Sequence, residues 1–265
     1  MLKIFQRLWQ VNWAEQWQYR ANLIMYLLYW LVSPIVYLAV WTSIANNQGS
    51  INGLTANDFV TYYLTLLIVD QITSNITLHI FAYKIQDGTL AGELIRPIHP
   101  MLTNTLVNNI AFKVLILFGF LPVWLVLNLL FRPDFSSVTW TGVALAIPAM
   151  IMGFFIAFLI TAAVTCLAFW TTRVYSIHEF YFALFLLFSG QFVPLKLMPD
   201  FIQNLARFLP FQFSLYYPIQ LILGNLTQPE IVEGFIVAGI WLVAGIVVFQ
   251  WAWREGVKRF SAVGA

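Results

Sequence analysis

An all-α fold that crosses a membrane six times is what this sequence predicts, on three observations. Of its 265 residues, 61% are hydrophobic and only 9% are charged. The apolar residues gather into stretches of roughly 20, the length a helix needs to cross about 30 Å of bilayer core. These stretches do not alternate in and out as barrel strands do. Backbone groups cannot be left unpaired in lipid, so helices remain.

The expected spans cover residues 21–44, 59–81, 108–130, 142–169, 178–194 and 234–252. Only short connectors and two tails lie between and beside them, so residues 1–265 read as one transmembrane domain with no soluble domain of ordinary size. Orientation follows from Lys and Arg, which are retained on the cytoplasmic face. With the N-terminus inside, that face holds Lys3, Arg7, Arg20, Lys84, Arg96, Arg173, Arg254, Lys258 and Arg259, and the outer face holds Arg132, Lys196 and Arg207. Nine against three predicts both termini in the cytoplasm. The net charge of +2 gives no reason to expect a nucleic-acid partner.

Residues 1–20 are not a cleavable signal, because Trp9, Trp13 and Trp17 interrupt any apolar run and Glu15 and Arg20 add charge. Phe5, Trp9, Trp13 and Trp17 instead recur every fourth residue, drawing an aromatic stripe along one side of a helix. Such a helix belongs in the inner membrane interface, as an anchor or as an elbow that passes movement to the spans.

The second span carries Asp70 near its middle. A carboxylate there costs roughly 2.5 to 3.5 kcal/mol on insertion scales, so it is expected to face a partner or water. Gln71, Ser74 and Asn75 share its side of the helix, with His79 further round. This polar sector reads either as a translocation surface for a cationic or amphipathic substrate, or as a hydrogen-bonded interhelical contact with Lys113 as partner.

The connector at 83–100 lies on the cytoplasmic side. Ile85, Leu90 and Leu94, with the small Gly88 and Ala91, suit a short amphipathic helix stopped by Pro97, and Asp87, Glu93 and Arg96 can meet a soluble partner. Composition alone allows an ordinary interfacial loop. After span five, Gly190, Pro194 and Pro199 interrupt the helix, and the segment 190–224 is too broken to span. Phe201, Phe208, Phe211, Phe213, Tyr216 and Tyr217 predict a hydrophobic outer vestibule there, or an aromatic belt at the outer interface.

Two motifs add a resemblance. The run Ile85-x-x-Gly88-x-Leu90-x-x-x-Leu94-x-Arg96-Pro97 resembles the first cytoplasmic loop of type-2 ABC transporter permeases, the six-helix membrane subunits of bacterial exporters. The run Gly190-Gln191-Phe192-Val193-Pro194 through Pro199, followed by Leu209-Pro210-Phe211, is similar to the broken outer end of that family's fifth span. The resemblance implies a coupling helix around Asp87, Gly88, Leu90, Glu93, Leu94, Arg96 and Pro97 that docks on a separate ATPase. It also implies a second permease, identical or related, in the inner membrane of a bacterium. ATP and Mg would be bound by the ATPase, and the cargo would be a small amphipathic compound, drug or lipid. The outer segment would act through Gly190, Phe192, Pro194, Pro199 and Phe211.

The residues agree that nucleotide chemistry lies elsewhere. None of Lys3, Lys84, Lys113, Lys196 or Lys258 follows a glycine, so there is no P-loop and no expectation of an enzyme. His79, His99 and His178 do not form a zinc spacing, and the adjacent His178 and Glu179 point about 100° apart on a helix. Cys166 is the single cysteine and reads as a small packing residue. Gly153 and Ala157 suit close helix approach at a subunit interface. Two further readings stay open: an ATP-independent transporter or channel using Asp70 and His79, and a membrane assembly subunit without transport.

Overall fold

The computed structural model describes the backbone of residues 2–260 except Tyr19, Ile76 and Pro97, and side chains from Gln6 onward except those of residues 20–21, 77–80 and 102–104. The described residues are helical apart from short connectors, with one isolated bridge between Ile51 and Leu54. The helices are α1 (Leu2–Gln18), α2 (Arg20–Gln48), α3 (Ala56–Thr73), α4 (Thr77–Gln86), α5 (Ala91–Leu94), α6 (Val107–Phe131), α7 (Trp140–Cys166), α8 (Val174–Phe188), α9 (Asp200–Phe208), α10 (Tyr216–Ile222) and α11 (Gln228–Arg259). Side-chain caps start several of them. Thr55 and Asp58 form a reciprocal box at α3, Thr227 and Glu230 do the same at α11, and Thr139 Oγ1 accepts from Gly142 N–H at α7.

Among the described residues, four helical segments are long and apolar enough to cross a bilayer unaided: Asn22–Gln48, Val107–Phe131, Trp140–Phe169 and Gln228–Arg259. The other two expected spans differ from the sequence reading. Span two is not one helix over 59–81, because α3 ends at Thr73 and α4 begins at Thr77. Span five is the 15-residue α8, which stops at Phe188 rather than 194. Polar side chains explain the first break and Gly190 with φ +83° the second.

α7 is the hub, packing against α3, α4, α10 and α11. Its longest contact is with α11, whose buried side is small: Gly234, Ala238, Gly245, Ala252 and Gly256. The three glycines recur every eleven residues, close to three helical turns, so they stay on one face. A Cβ at Gly245 would press on Leu159, one at Gly256 on Phe169, and one at Gly234 on Tyr217. Gly153 and Ala157 are also used within the chain rather than held ready for a partner. Gly153 lies under the Phe213–Ser214 backbone, and Ala157 is 5% exposed beside the cavity described below.

α3 is the most enclosed helix, with Phe59, Tyr63, Leu64, Leu66 and Val69 all fully buried. It is also among the least apolar of the long helices, carrying Thr61, Thr65, Asp70 and Gln71. A helix surrounded by protein can hold polar side chains that lipid would reject. The outward faces of α2, α6 and α11 are instead apolar, with Leu129, Leu130, Ile236, Val243 and Trp251 exposed. α1 lies against α6, where Asn108 Nδ2 donates to Asn12 Oδ1 at 2.9 Å.

Candidate functional site

The break after α3 builds the site. Ser74 turns extended (φ −60°, ψ 159°) while its N–H still donates to the Asp70 carbonyl at 2.9 Å. Lys113 reaches in from α6, donating to the Gln71 carbonyl and to Ser74 Oγ, each at 3.1 Å. Its ammonium also sits 5.5 Å from the centre of the Phe154 ring and attracts the Asp70 carboxylate. Thr161 Oγ1, from α7, donates to Asn75 Oδ1 at 2.9 Å. The break is thus tied to α6 through the Gln71 carbonyl and the Ser74 side chain, and to α7 through the Asn75 side chain.

Beside the break lies a cavity of about 670 Å³. Asp70, Thr73, Ser74 and Asn75 line it from α3 and the break, Asn108 and Phe112 from α6, and Thr161 from α7. Tyr26, Tyr29 and Trp30 of α2 add aromatic faces, Glu15 of α1 adds a carboxylate, and Gln191 and Ser214 close another side. Three of the four expected path residues are on its wall, and Gln71 is not, being engaged through its carbonyl. His79 lies outside the described side chains.

His178 and Glu179 were passed over in sequence, yet both line the cavity with Tyr181 and Phe182. Only Val174 and Phe188 of α8 are buried. A helix packed so lightly presents a broad sector to the space beside it, wide enough for two adjacent side chains. A histidine next to a carboxylate inside an apolar stretch was the available signal. Asp70, Glu179 and Glu15 give the wall three carboxylates among aromatic rings.

The 83–100 connector is more turn than helix. α4 runs to Gln86, Asp87 Oδ1 accepts from Thr89 N–H at 3.0 Å, Gly88 takes φ +80°, and α5 is four residues long. Leu90 is fully buried with Phe81, Ile85 and Met101. Lys84 Nζ donates to Glu93 Oε1 at 2.7 Å, so Glu93 is engaged inside the connector. Asp87, Ile95 and Arg96 face outward, Ile95 at 86% exposure, while Leu94 is half-buried and Pro97 lies outside the described residues. His99 then fastens the connector to α11, with its ring 4.4 Å from that of Trp253 and its Nδ1 accepting from Met101 N–H. Burial there lowers the basicity of the imidazole.

The sequence model of the family described as ABC-2 family transporter protein matches residues 31–264. The chain belongs to that family. It is an integral membrane permease of the ABC transporter class, and such permeases generally work with ABC ATPase subunits. No curated protein matches it.

The 190–224 segment of the permease divides its aromatic residues between its surface and its interior. α9 turns Phe201, Leu205 and Phe208 outward along one stripe, as a helix lying at a lipid interface does. Phe211 packs inward with Phe188, Leu195 and Ala206, and Phe213 is fully buried. The pocket left beneath these turns, about 470 Å³, is lined by Tyr62, Tyr216 and Tyr217 together with Asp58, Asp134, Lys196, Arg207, Glu230 and Glu233. These phenylalanines pack inward or face outward, so polar groups line much of the opening. Phe192 is 43% exposed and edge-on to Tyr37, Pro194 lines the outer pocket, and Pro199 precedes α9.

Proposed function

We propose that this permease forms half of the membrane pathway of an ATP-driven bacterial exporter. It crosses the inner membrane six times, α3 with α4 and α8 crossing as broken helices, and keeps both termini in the cytoplasm. The cargo path is the cavity beside Asp70, completed by a second copy or a related permease. Energy comes from ATP and Mg bound by a separate ATPase that docks on the 83–100 connector, where Asp87, Ile95 and Arg96 project. The cargo is a small amphipathic compound, drug or lipid, and a positive end suits the carboxylates.

The observation that carries this reading is a roomy cavity walled by a buried carboxylate at a helix break, within a chain of this family. Discontinuous helices with polar groups beside a cavity are how membrane proteins handle a cargo in mid-membrane. The test is to purify the permease from its native membrane in mild detergent and determine the stoichiometry of what accompanies it. The reading expects an ATPase subunit whose turnover is stimulated by cargo, and expects Asp70→Asn to lose that stimulation while insertion and assembly persist. A chain that purifies without any ATPase after crosslinking, yet moves ions in vesicles, would make the Asp70 and Lys113 neighbourhood an ion path instead.

A further inference from the structure

The residues between α8 and the turn at Leu195–Leu197 stand between two spaces. Gln191 lines the inner cavity, as does Ser214, whereas Pro194 and Leu195 line the outer pocket. Tyr62 and Tyr216 also line the outer pocket, and they flank Gly190. Residues 189–193 therefore form one short strap of chain that borders the cavity at Gln191 and leads into the lining of the other pocket at Pro194.

The strap has no helix of its own to satisfy its carbonyls, and its neighbours supply donors from their rings. Tyr62 Oη donates to the Gly190 carbonyl at 2.7 Å. Tyr63 Oη and Trp41 Nε1 both donate to the Phe192 carbonyl, at 2.8 and 3.0 Å. The Tyr216 N–H closes the near end on the Ser189 carbonyl at 3.0 Å. Gly190 makes this approach possible, because a Cβ there would lie 2.6 Å from Tyr62 Oη and 3.1 Å from Tyr216 Cβ. Facing the cavity, Gln191 is 8% exposed and its Oε1 meets no donor among the described residues.

We infer that Trp41, Tyr62 and Tyr63 are positioning residues for transport: they latch the 189–193 strap shut as the outer gate between the cavity and the outer pocket. The inference rests on the transport reading for its direction and adds to it the residues that set the gate. All three bonds are neutral and end on backbone carbonyls, so they can be exchanged for water without leaving a charge unpaired. The donors sit on α2 and α3, and α3 also carries Asp70. A shift of α3 at the cavity thus pulls directly on the latch.

The experiment reads the gate rather than transport. In a Cys166→Ala background, Gln191→Cys reports the cavity side of the strap and Asp200→Cys the outer surface, each titrated in intact cells with a membrane-impermeant maleimide. Gln191→Cys is expected to react far more slowly than Asp200→Cys. Adding Tyr62→Phe and Tyr63→Phe should raise its rate by about thirtyfold, the shift expected from losing two hydrogen bonds of ordinary net strength. Trp41→Phe alone should give a smaller rise, which serves if the double variant does not fold. Trp241→Phe removes a comparable ring bond, from α11 to the Phe208 carbonyl at 2.8 Å, on helices that carry no latch donor, and should change nothing.

Equal reactivity of the two cysteines in the parent, or an unchanged Gln191→Cys rate in the latch variants, overturns the gate while leaving the ATPase association intact. An Asp200→Cys that does not react from outside overturns the orientation, and the outer gate with it. Loss of the ATPase on purification with labelling as expected would remove the exporter reading and keep the strap as a closure of the cavity.

Discussion

The chain interrupts an apolar helix beside Asp70 and again beside Gly190, and the two breaks satisfy their freed backbone in opposite ways. At the first, side chains that are charged or strongly polar are drawn in: Lys113 holds the Gln71 carbonyl and Ser74, and Thr161 holds Asn75. At the second, neutral rings from α2 and α3 cap the carbonyls. A buried charge cannot release its partners without a large desolvation penalty, whereas a phenol or indole can exchange one acceptor for another at little cost. The first break is built to stay put as a wall, and the second is built to be remade.

The strongest way to test this contrast is Lys113→Met. It leaves the Gln71 carbonyl and Ser74 Oγ without their donor and removes the positive charge that attracts Asp70, and each buried polar group left unsatisfied typically costs about 1 to 3 kcal/mol. A large fall in thermal midpoint in detergent is expected, with part of it recovered in the Lys113→Met, Asp70→Asn double variant, which still lacks the donor to Gln71 and Ser74. A midpoint unchanged by Lys113→Met would mean that the wall does not depend on charge.

Gly190→Ala should cost less, about 1 to 3 kcal/mol for a non-glycine residue at positive φ. Its signature is displacement of Tyr62, read as faster labelling of a cysteine at position 191. A smaller effect separates two residues of the connector. Glu93→Gln breaks a partly exposed ion pair with Lys84, for which about 1 kcal/mol or less is expected, and should leave the ATPase bound. Arg96→Glu changes an exposed charge that nothing in the chain engages among the described ion pairs, and should weaken ATPase binding at low salt without a change in thermal midpoint. Equal effects of the two on ATPase binding would remove the distinction.

The smallest expected effect is pH-dependent. Burial holds His99 below the ordinary histidine value of about 6.5, so the unfolded chain takes up a proton first as pH falls. Stability should therefore decline as pH drops below about 6.5 toward the lowered folded value, and be level above it. His99→Phe keeps the ring against Trp253 and should flatten that part of the midpoint profile.

How much of this was legible in the sequence differs from element to element. The long apolar helices announced themselves because length and hydropathy are properties of a single segment, and α2, α6, α7 and α11 lie close to the expected spans. Asp70, Ser74 and Asn75 were legible as a sector because a carboxylate in an apolar run is costly wherever it ends up. The partners of the break were not, since Lys113 and Thr161 reach Ser74 and Asn75 from helices distant in sequence. The glycines at 234, 245 and 256 carried a readable eleven-residue period that was missed, and they set the packing of α11. Glu15, His178 and Glu179 became cavity residues only through the placement of α1 and α8.

By itself the sequence determined the solvent, the helical class and the positions where polar groups interrupt apolar runs, because each follows from the transfer energy of local segments. The tertiary structure decided which polar groups meet, that Lys113 serves the break, that Glu93 turns inward while Arg96 faces out, and that three rings converge on the Gly190–Phe192 strap. Those outcomes depend on hydrogen bonds between residues as far apart in sequence as Trp41 and Phe192, and no local pattern encodes a donor's distance from its acceptor.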